Sequence, residues 1–273
     1  MKAWRWLMPA VLVLLLVTAW PIGRAVWLSL TSRPLTGADD RGFVGLDNYV
    51  DVLSSRTWWL AVAATLVIVV AVVLVQLVLG LAFAAALQRL TAVWPVTRVL
   101  VLLPFGLLAV VSAVVWRDAV TTGFVADWFG LDGVGQLGSL VGVVAGEVWR
   151  GTGITAVILL AGLLRVPRTL MASAIADGAT ARQRFTRVVL PAMGPALAVA
   201  TTYRALDAFR MLEGPLVVDE PGATVRTAPF LVWDTTFSSF ELGLGATMSI
   251  LLLLMAALLA AFLVPVLRVR RVL

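Results

Sequence analysis

Apolar residues in this chain come in long runs, broken by short polar stretches. Six runs are long enough to matter: residues 7–30, 58–87, 99–116, 140–164, 191–218 and 242–267. Crossing about 30 Å of hydrocarbon takes roughly 20 helical residues. In lipid, a helix satisfies its own backbone hydrogen bonds. The pattern therefore predicts an all-α membrane protein with six transmembrane helices, the second long enough to tilt and the third short. Composition agrees: 61% of residues are hydrophobic, 13% are charged, and the mean hydropathy is +1.02. No repeat, low-complexity tract or soluble domain interrupts the pattern, so residues 1–273 read as one transmembrane domain. Lys2 and Arg5 ahead of the first run have the look of a secretory leader. The apolar character resumes after Pro21, however, and Trp20-Pro21 is a poor small-residue cleavage site, so this run is read as a retained span.

The net charge of +6 would suit nucleic acid if it were clustered, but its distribution points to topology. Alternate loops hold Lys2, Arg5, Arg89, Arg98, Arg165, Arg168, Arg182, Arg184, Arg187, Arg268, Arg270 and Arg271 against a single acid, Asp177. The opposite loops hold eleven acids against five cations. Cytoplasmic loops carry the Lys/Arg excess, so both termini and residues 166–191 are expected in the cytoplasm of a multi-pass plasma (inner) membrane protein.

Residues 166–191, VPRTLMASAIADGATARQRFTRVVLP, form a basic interlude between two apolar runs. Pro167 suits a first helical position, and Gly178 can end a short helix in a left-handed conformation. Thr180 with Gln183 fits a capping box that starts a second helix through Val189, and Pro191 opens the next span. Leu170, Met171, Ala174 and Ile175 group on the first helix; Phe185, Val188 and Val189 group on the second. Two readings fit such a pair: an amphipathic loop lying on lipid, or a handle gripped by a partner protein.

Charges also occur within the spans. Glu147 and Arg150 flank Trp149 in the fourth; Arg204, Asp207, Arg210 and Glu213 recur every three residues in the fifth. Charges at membrane depth face a bundle interior or an aqueous cavity. An internally paired ladder is one reading, since i, i+3 spacing permits it. A polar cavity lined by Asp and Arg is the other. Trp149 suits stacking on the apolar face of a ligand, packing, or interfacial anchoring. Arg24, near the outer end of its span, is expected to snorkel.

The chain has no Cys and no His, so thiolate nucleophiles, Cys/His metal sites and imidazole catalysis are excluded. It has no G-x-x-x-x-G-K-[ST] loop either, so nucleotide hydrolysis of the usual kind belongs to another chain. No catalytic centre and no metal site is expected.

Asp177-Gly178-Ala179, Phe185 and Val188-Val189-Leu190-Pro191 resemble the "EAA" loop of importer-type ABC transporter permeases. Phe43-Val44-Gly45-Leu46-Asp47-Asn48-Tyr49, Gln76-Leu77-Val78-Leu79-Gly80-Leu81-Ala82, Leu102-Leu103-Pro104 and Glu147-Val148-Trp149-Arg150-Gly151-Thr152-Gly153 are similar to stretches of binding-protein-dependent sugar permeases. The match is to the maltose-F-like and glycerol-phosphate-A-like half of the permease pair. Ala19-Trp20-Pro21-Ile22-Gly23 and Tyr203–Arg210 are most similar to trehalose-import permeases.

The resemblance implies a type I importer fold that couples ATP hydrolysis to alternating access for a di- or oligosaccharide. A glycerol-phosphate ester is the alternative cargo; a secondary transporter or membrane enzyme is the reading from a different class. It further implies a second permease subunit, two cytoplasmic ATPase subunits that bind ATP and Mg, and an extracytoplasmic solute-binding protein. The coupling residues it carries over are Ala172, Ser173, Ala174, Asp177, Gly178, Ala179, Phe185, Leu190 and Pro191. Glu147, Trp149, Arg150, Arg204, Asp207, Arg210 and Glu213 are the candidates for the substrate pathway. Ala172 and Ser173 stand where the family has glutamate and its first alanine. Val217-Val218-Asp219-Glu220-Pro221-Gly222 replaces a Gly-rich L-T-x-G-G-P stretch.

Overall fold

A computed structural model of the chain describes residues 3–32, 42–89, 94–121, 124–129, 135–214 and 226–266. Within them the architecture is helical: α1 (Ala3–Ser29), α2 (Asp47–Ser54), α3 (Arg56–Arg89), α4 (Trp94–Gly106), α5 (Ala109–Thr121), α6 (Phe124–Phe129), α7 (Gly135–Leu163), α8 (Arg168–Ala176), α9 (Ala181–Ala192), α10 (Gly194–Phe209), α11 (Ala228–Trp233) and α12 (Leu242–Val266). Two compact units are distinguished: residues 1–63 with 226–255, and residues 64–225 with 256–273.

In the first unit, α1 carries an 18-residue apolar window in which no residue is buried, so its flanks meet lipid or another chain. Its end is tied to α2 by polar side chains. The Nδ2 of buried Asn48 donates to the carbonyls of Ser29 (2.8 Å) and Thr31 (3.2 Å), and Tyr49 and Ser29 share a hydroxyl bond of 2.8 Å. Asn48 and Tyr49 close the Phe43–Tyr49 motif, which therefore acts as a corner piece. Trp58 is buried among Val52, Val62, Leu231 and Met248.

In the second unit, α7 is the central helix and packs on α4, α5 and α10. Leu159 and Leu160 of α7 join Ala84 and Leu87 of α3, Met193, and Ala200 of α10 in one core. Buried Ser112 of α5 donates to the carbonyl of Gly146 at 3.0 Å.

Two predicted spans are corrected. The third is not one helix over 99–116. Leu100–Gly106 and Ala109–Val120 meet at 100°. Pro104 lacks the N–H that would continue the ladder, and its ring clashes with the preceding turn. Gly106 follows it, and Leu107 N–H turns back to the Pro104 carbonyl at 3.2 Å. The fifth does not begin at Pro191: α9 carries on through Pro191 and bends by 69° into α10. Helix α10 ends at Phe209, with Arg210 as its C-cap, so Glu213 lies beyond it. Residues 215–225, which include the end of that predicted span and the stretch replacing the Gly-rich motif, lie outside the described residues, as do Leu267 and Arg268, Arg270 and Arg271.

Between α7 and α10 the chain forms the expected helix pair. Pro167 is the N-cap of α8 rather than its first helical residue. Gly178 sits at φ +74°. Its N–H reaches the Ile175 carbonyl at 3.0 Å, and Ala179 N–H reaches Ala174 at 3.0 Å, the paired closure of a Schellman motif. Thr180 and Gln183 make both bonds of the capping box. Helix α9 then widens into a π turn over Phe185–Val189. A β-branched residue in the left-handed region costs upwards of about 1–2 kcal/mol. Gly178→Val is therefore expected to swing α9 away from α8 and to cut ATP-dependent uptake at least tenfold while protein still reaches the membrane; uptake in vesicles against membrane abundance measures it.

Candidate functional site

The intramembrane charges of α7 and α10 meet. Glu147 and Arg150 lie one turn apart on α7 and face Arg204 and Asp207, one turn apart on α10. Arg204 is fully buried and Glu147 nearly so. Arg204 Nη2 donates to Glu147 Oε1 at 2.5 Å, and its Nη1 donates to Asp207 Oδ2 at 2.6 Å. Arg150 Nη2 lies 3.0 Å from both Glu147 carboxylate oxygens and 3.3 Å from Asp207 Oδ2. The result is a closed ring in which cations and anions alternate: Arg204, Glu147, Arg150, Asp207. Such pairing is what makes buried charge tolerable, because each ion's lost hydration is replaced by fixed partners.

A fifth member comes from α3. Gln76, fully buried, accepts from Arg204 Nε at 2.7 Å and donates from Nε2 to the Glu147 carbonyl at 2.7 Å. With that bond, no buried side-chain nitrogen or oxygen among the described residues lacks a partner. Gly151 makes the room. A Cβ there would run into Arg204 Nη2 and Cζ and Gln76 Nε2, so only glycine lets the guanidinium lie against α7. This accounts for the order Glu147-x-x-Arg150-Gly151: two ring members, then the gap that admits the third.

The ring has an inner and an outer edge. Arg204 and Gln76 are sealed, whereas the side chains of Arg150 and Asp207 keep 17% and 21% of their surface accessible. Arg210, 73% exposed, approaches Asp207 Oδ1 at 3.8 Å. The Arg150 guanidinium also stands 5.9 Å from the centre of the Phe105 ring. The accessible edge thus presents donors and acceptors together.

The structure brings together Glu147, Arg150, Arg204, Asp207 and Arg210, sets Glu213 beside Glu147 on the lining of a small cavity, and leaves Trp149 out. Glu213, off the helix, accepts from the Leu212 N–H at 3.3 Å instead of continuing the ladder. Trp149 points away from the ring. It lies 6.3 Å from Trp116 and lines an apolar cavity of about 470 Å³ with Leu79, Phe83, Pro104 and Val148. Gln76 was not foreseen as a site residue. The signal was a lone amide in a strongly apolar helix, Val73–Leu79.

On the α8–α9 pair, Ala172, Ser173, Asp177, Gly178, Phe185 and Pro191 are exposed, and Ala174, Ala179 and Leu190 are half-buried. Ser173 Oγ turns inward to the Thr169 carbonyl at 2.9 Å, so it offers no free hydroxyl on the surface. Leu170, Ile175 and Phe185 remain exposed, while Met171 and Val189 pack into the core. Arg184, which the motif did not single out, donates to the Ala179 carbonyl at 2.9 Å and braces the turn.

No protein-family model matches the sequence. Over 249 residues, 89% of this chain and 81% of the relative, it is 39% identical to the trehalose transport system permease protein SugA of Mycobacterium tuberculosis. The chain belongs to the ABC importer permease family. The permease is also 30% identical to the trehalose/maltose transport system permease protein MalF of Thermococcus litoralis, over 90% of its length and 86% of that protein. Its identity to the sn-glycerol-3-phosphate transport system permease protein UgpA of Escherichia coli is 28%, over 92% of its length and 88% of that protein. Among solved structures it resembles a bacterial ABC transporter involved in the import of the acidic polysaccharide alginate. The TM-score is 0.79 at 18% identity, covering 99% of the permease and 96% of that chain, and this likeness establishes the fold. With its apolar helices, the permease is a multi-pass membrane protein and a transport subunit.

Proposed function

We propose that the permease carries an uncharged di- or oligosaccharide, trehalose included, inward across the membrane, and that the accessible edge formed by Arg150, Asp207 and Arg210 is where the sugar is met. The observation that carries this reading is the mixed edge itself: guanidinium donors beside a carboxylate acceptor, both partly accessible, at the level of the spans. Sugar hydroxyls donate and accept at once, and suit such a pair. The relatives named for trehalose and maltose support the same class.

The relative named for glycerol-3-phosphate favours a phosphate ester instead. Against it, Arg204 has its donors committed to Glu147, Asp207 and Gln76, and Asp207 would repel a phosphate at the edge.

In this reading the chain is one permease domain without a catalytic site. It pairs with a second permease, two ATPases that bind ATP and Mg, and a solute-binding protein. Its termini are cytoplasmic. Helices α8 and α9 are the handle on which the ATPases pull. A solved relative of the fold, crystallised with an alginate pentasaccharide-bound periplasmic protein, is consistent with that assembly. Loaded binding protein would favour one state of the permease through differential affinity.

The test is uptake by the reconstituted complex. Asp207→Asn is expected to lower sugar uptake at least tenfold, through loss of a charged acceptor worth about 1.5–3 kcal/mol, with binding protein still docking. Unlabelled disaccharide should compete for uptake, and a glycerol phosphodiester should not. Unchanged uptake in Asp207→Asn, or competition only by the phosphodiester, overturns the reading.

A further inference from the structure

Gln76 stands apart from the ring's charged members: it comes from a different helix, is neutral, and holds Arg204 at Nε, the one nitrogen of the guanidinium that no carboxylate takes. We propose that Gln76 is a positioning residue for transport, holding the Arg204 guanidinium in its sealed place so that Arg150 and Asp207, and not Arg204, face the sugar. The inference rests on the reading that the accessible edge meets substrate.

The geometry is specific. Arg204 has one Nε–H, directed at Gln76 Oε1 at 2.7 Å. Its two Nη groups are taken by Asp207 and Glu147. An arginine with its Nε tethered can only pivot about that bond. Without that bond its carboxylate pairs remain, and one of them, Asp207, belongs to the accessible edge as well. The amide also needs its second hand. Gln76 Nε2 donates to the backbone carbonyl of Glu147 at 2.7 Å, which fixes the amide's own orientation and sets its oxygen toward Arg204.

A carboxylate at this place would keep the acceptor and lose that donor. A shorter amide would keep both functions and lose the reach. An apolar side chain would leave a buried N⁺–H without a partner. Gly151 keeps the space for this arrangement, so the tether and the gap form one device. The result is that α3 limits which cation a solute encounters, although it contributes nothing to the accessible edge.

The test uses the full complex with its second permease, ATPases and binding protein, reconstituted in liposomes. It reads sugar taken up per ATP hydrolysed, with assembly followed by size-exclusion chromatography. A positioning role predicts that Gln76→Asn assembles, hydrolyses ATP within about twofold of wild type when loaded binding protein is present, and takes up at least tenfold less sugar per ATP. Gln76→Glu retains the acceptor for Arg204 but sets a carboxylate oxygen against the Glu147 carbonyl, so it should also assemble yet take up at least about tenfold less sugar per ATP.

A purely structural role predicts otherwise: uptake and hydrolysis falling in proportion, or neither variant assembling. Either outcome overturns the proposal, as does unchanged uptake per ATP in Gln76→Asn. Asp207→Asn in the same assay separates the two levels. If it is silent, the edge is not the sugar site and the reading beneath this inference fails. If it cuts uptake while Gln76→Asn does not, the edge stands and only the tether is wrong.

Discussion

Arg204→Met is expected to abolish uptake and to destabilise the purified permease by about 3–5 kcal/mol, the usual cost of removing one partner from a buried ion pair. The reason lies in what is left behind. Glu147 is 6% exposed and would keep only Arg150, while the Gln76 oxygen and one side of Asp207 would lose their donor. Folded proteins are stable by only about 5–15 kcal/mol, so the effect should appear as a large drop in the thermal unfolding midpoint. Arg204→Lys retains the charge, but its single ammonium cannot reach three acceptors in fork geometry. It should fall between the two. An Arg204→Met protein that unfolds at the wild-type temperature would mean that the ring is not holding α3, α7 and α10 together.

Gly151→Val should be nearly as severe, by the opposite route. Nothing polar is removed; the guanidinium and the Gln76 amide are pushed out of their place by a side chain. Inserting bulk into a packed interior typically costs about 1–3 kcal/mol, and here the displaced atoms are charged and have no second set of partners. Uptake is expected to be lost, and Gly151→Ala to lower it at least tenfold. Gly23 in α1, whose Cβ would meet nothing within 4 Å, provides the control: Gly23→Ala should leave uptake unchanged. Vesicle uptake normalised to membrane abundance measures all three. Wild-type transport in Gly151→Val would mean that the guanidinium does not need the gap this glycine leaves.

The spans were legible in the sequence because bilayer thickness imposes a length on apolar runs that no tertiary contact can relax. Where the sequence fell short, a local exception was at work. Pro104 and Gly106 lie inside a run apolar enough to pass as one helix, and hydropathy carries no sign of the 100° bend between Leu100–Gly106 and Ala109–Val120. The stripe Arg204, Asp207, Arg210, Glu213 assumed a helix that continues, whereas α10 stops at Phe209. Local signals did better in the α8–α9 pair: Gly178 takes the left-handed turn and Thr180 the capping box, since both are properties of a few adjacent residues.

The sequence by itself determined that this is an all-helical membrane permease with a short helix pair turning at a glycine between two spans, because span length, turn chemistry and family motifs are written in consecutive residues. Only the tertiary structure decided what the intramembrane charges do. Glu147 and Arg204 are 57 positions apart, and Gln76 and Arg204 are 128 apart. The sequence left each charge free to pair along its own helix or to line a cavity. Burial with mutually satisfied hydrogen bonds selects one arrangement, and that selection depends on helices meeting at Gly151, a contact that no local pattern encodes.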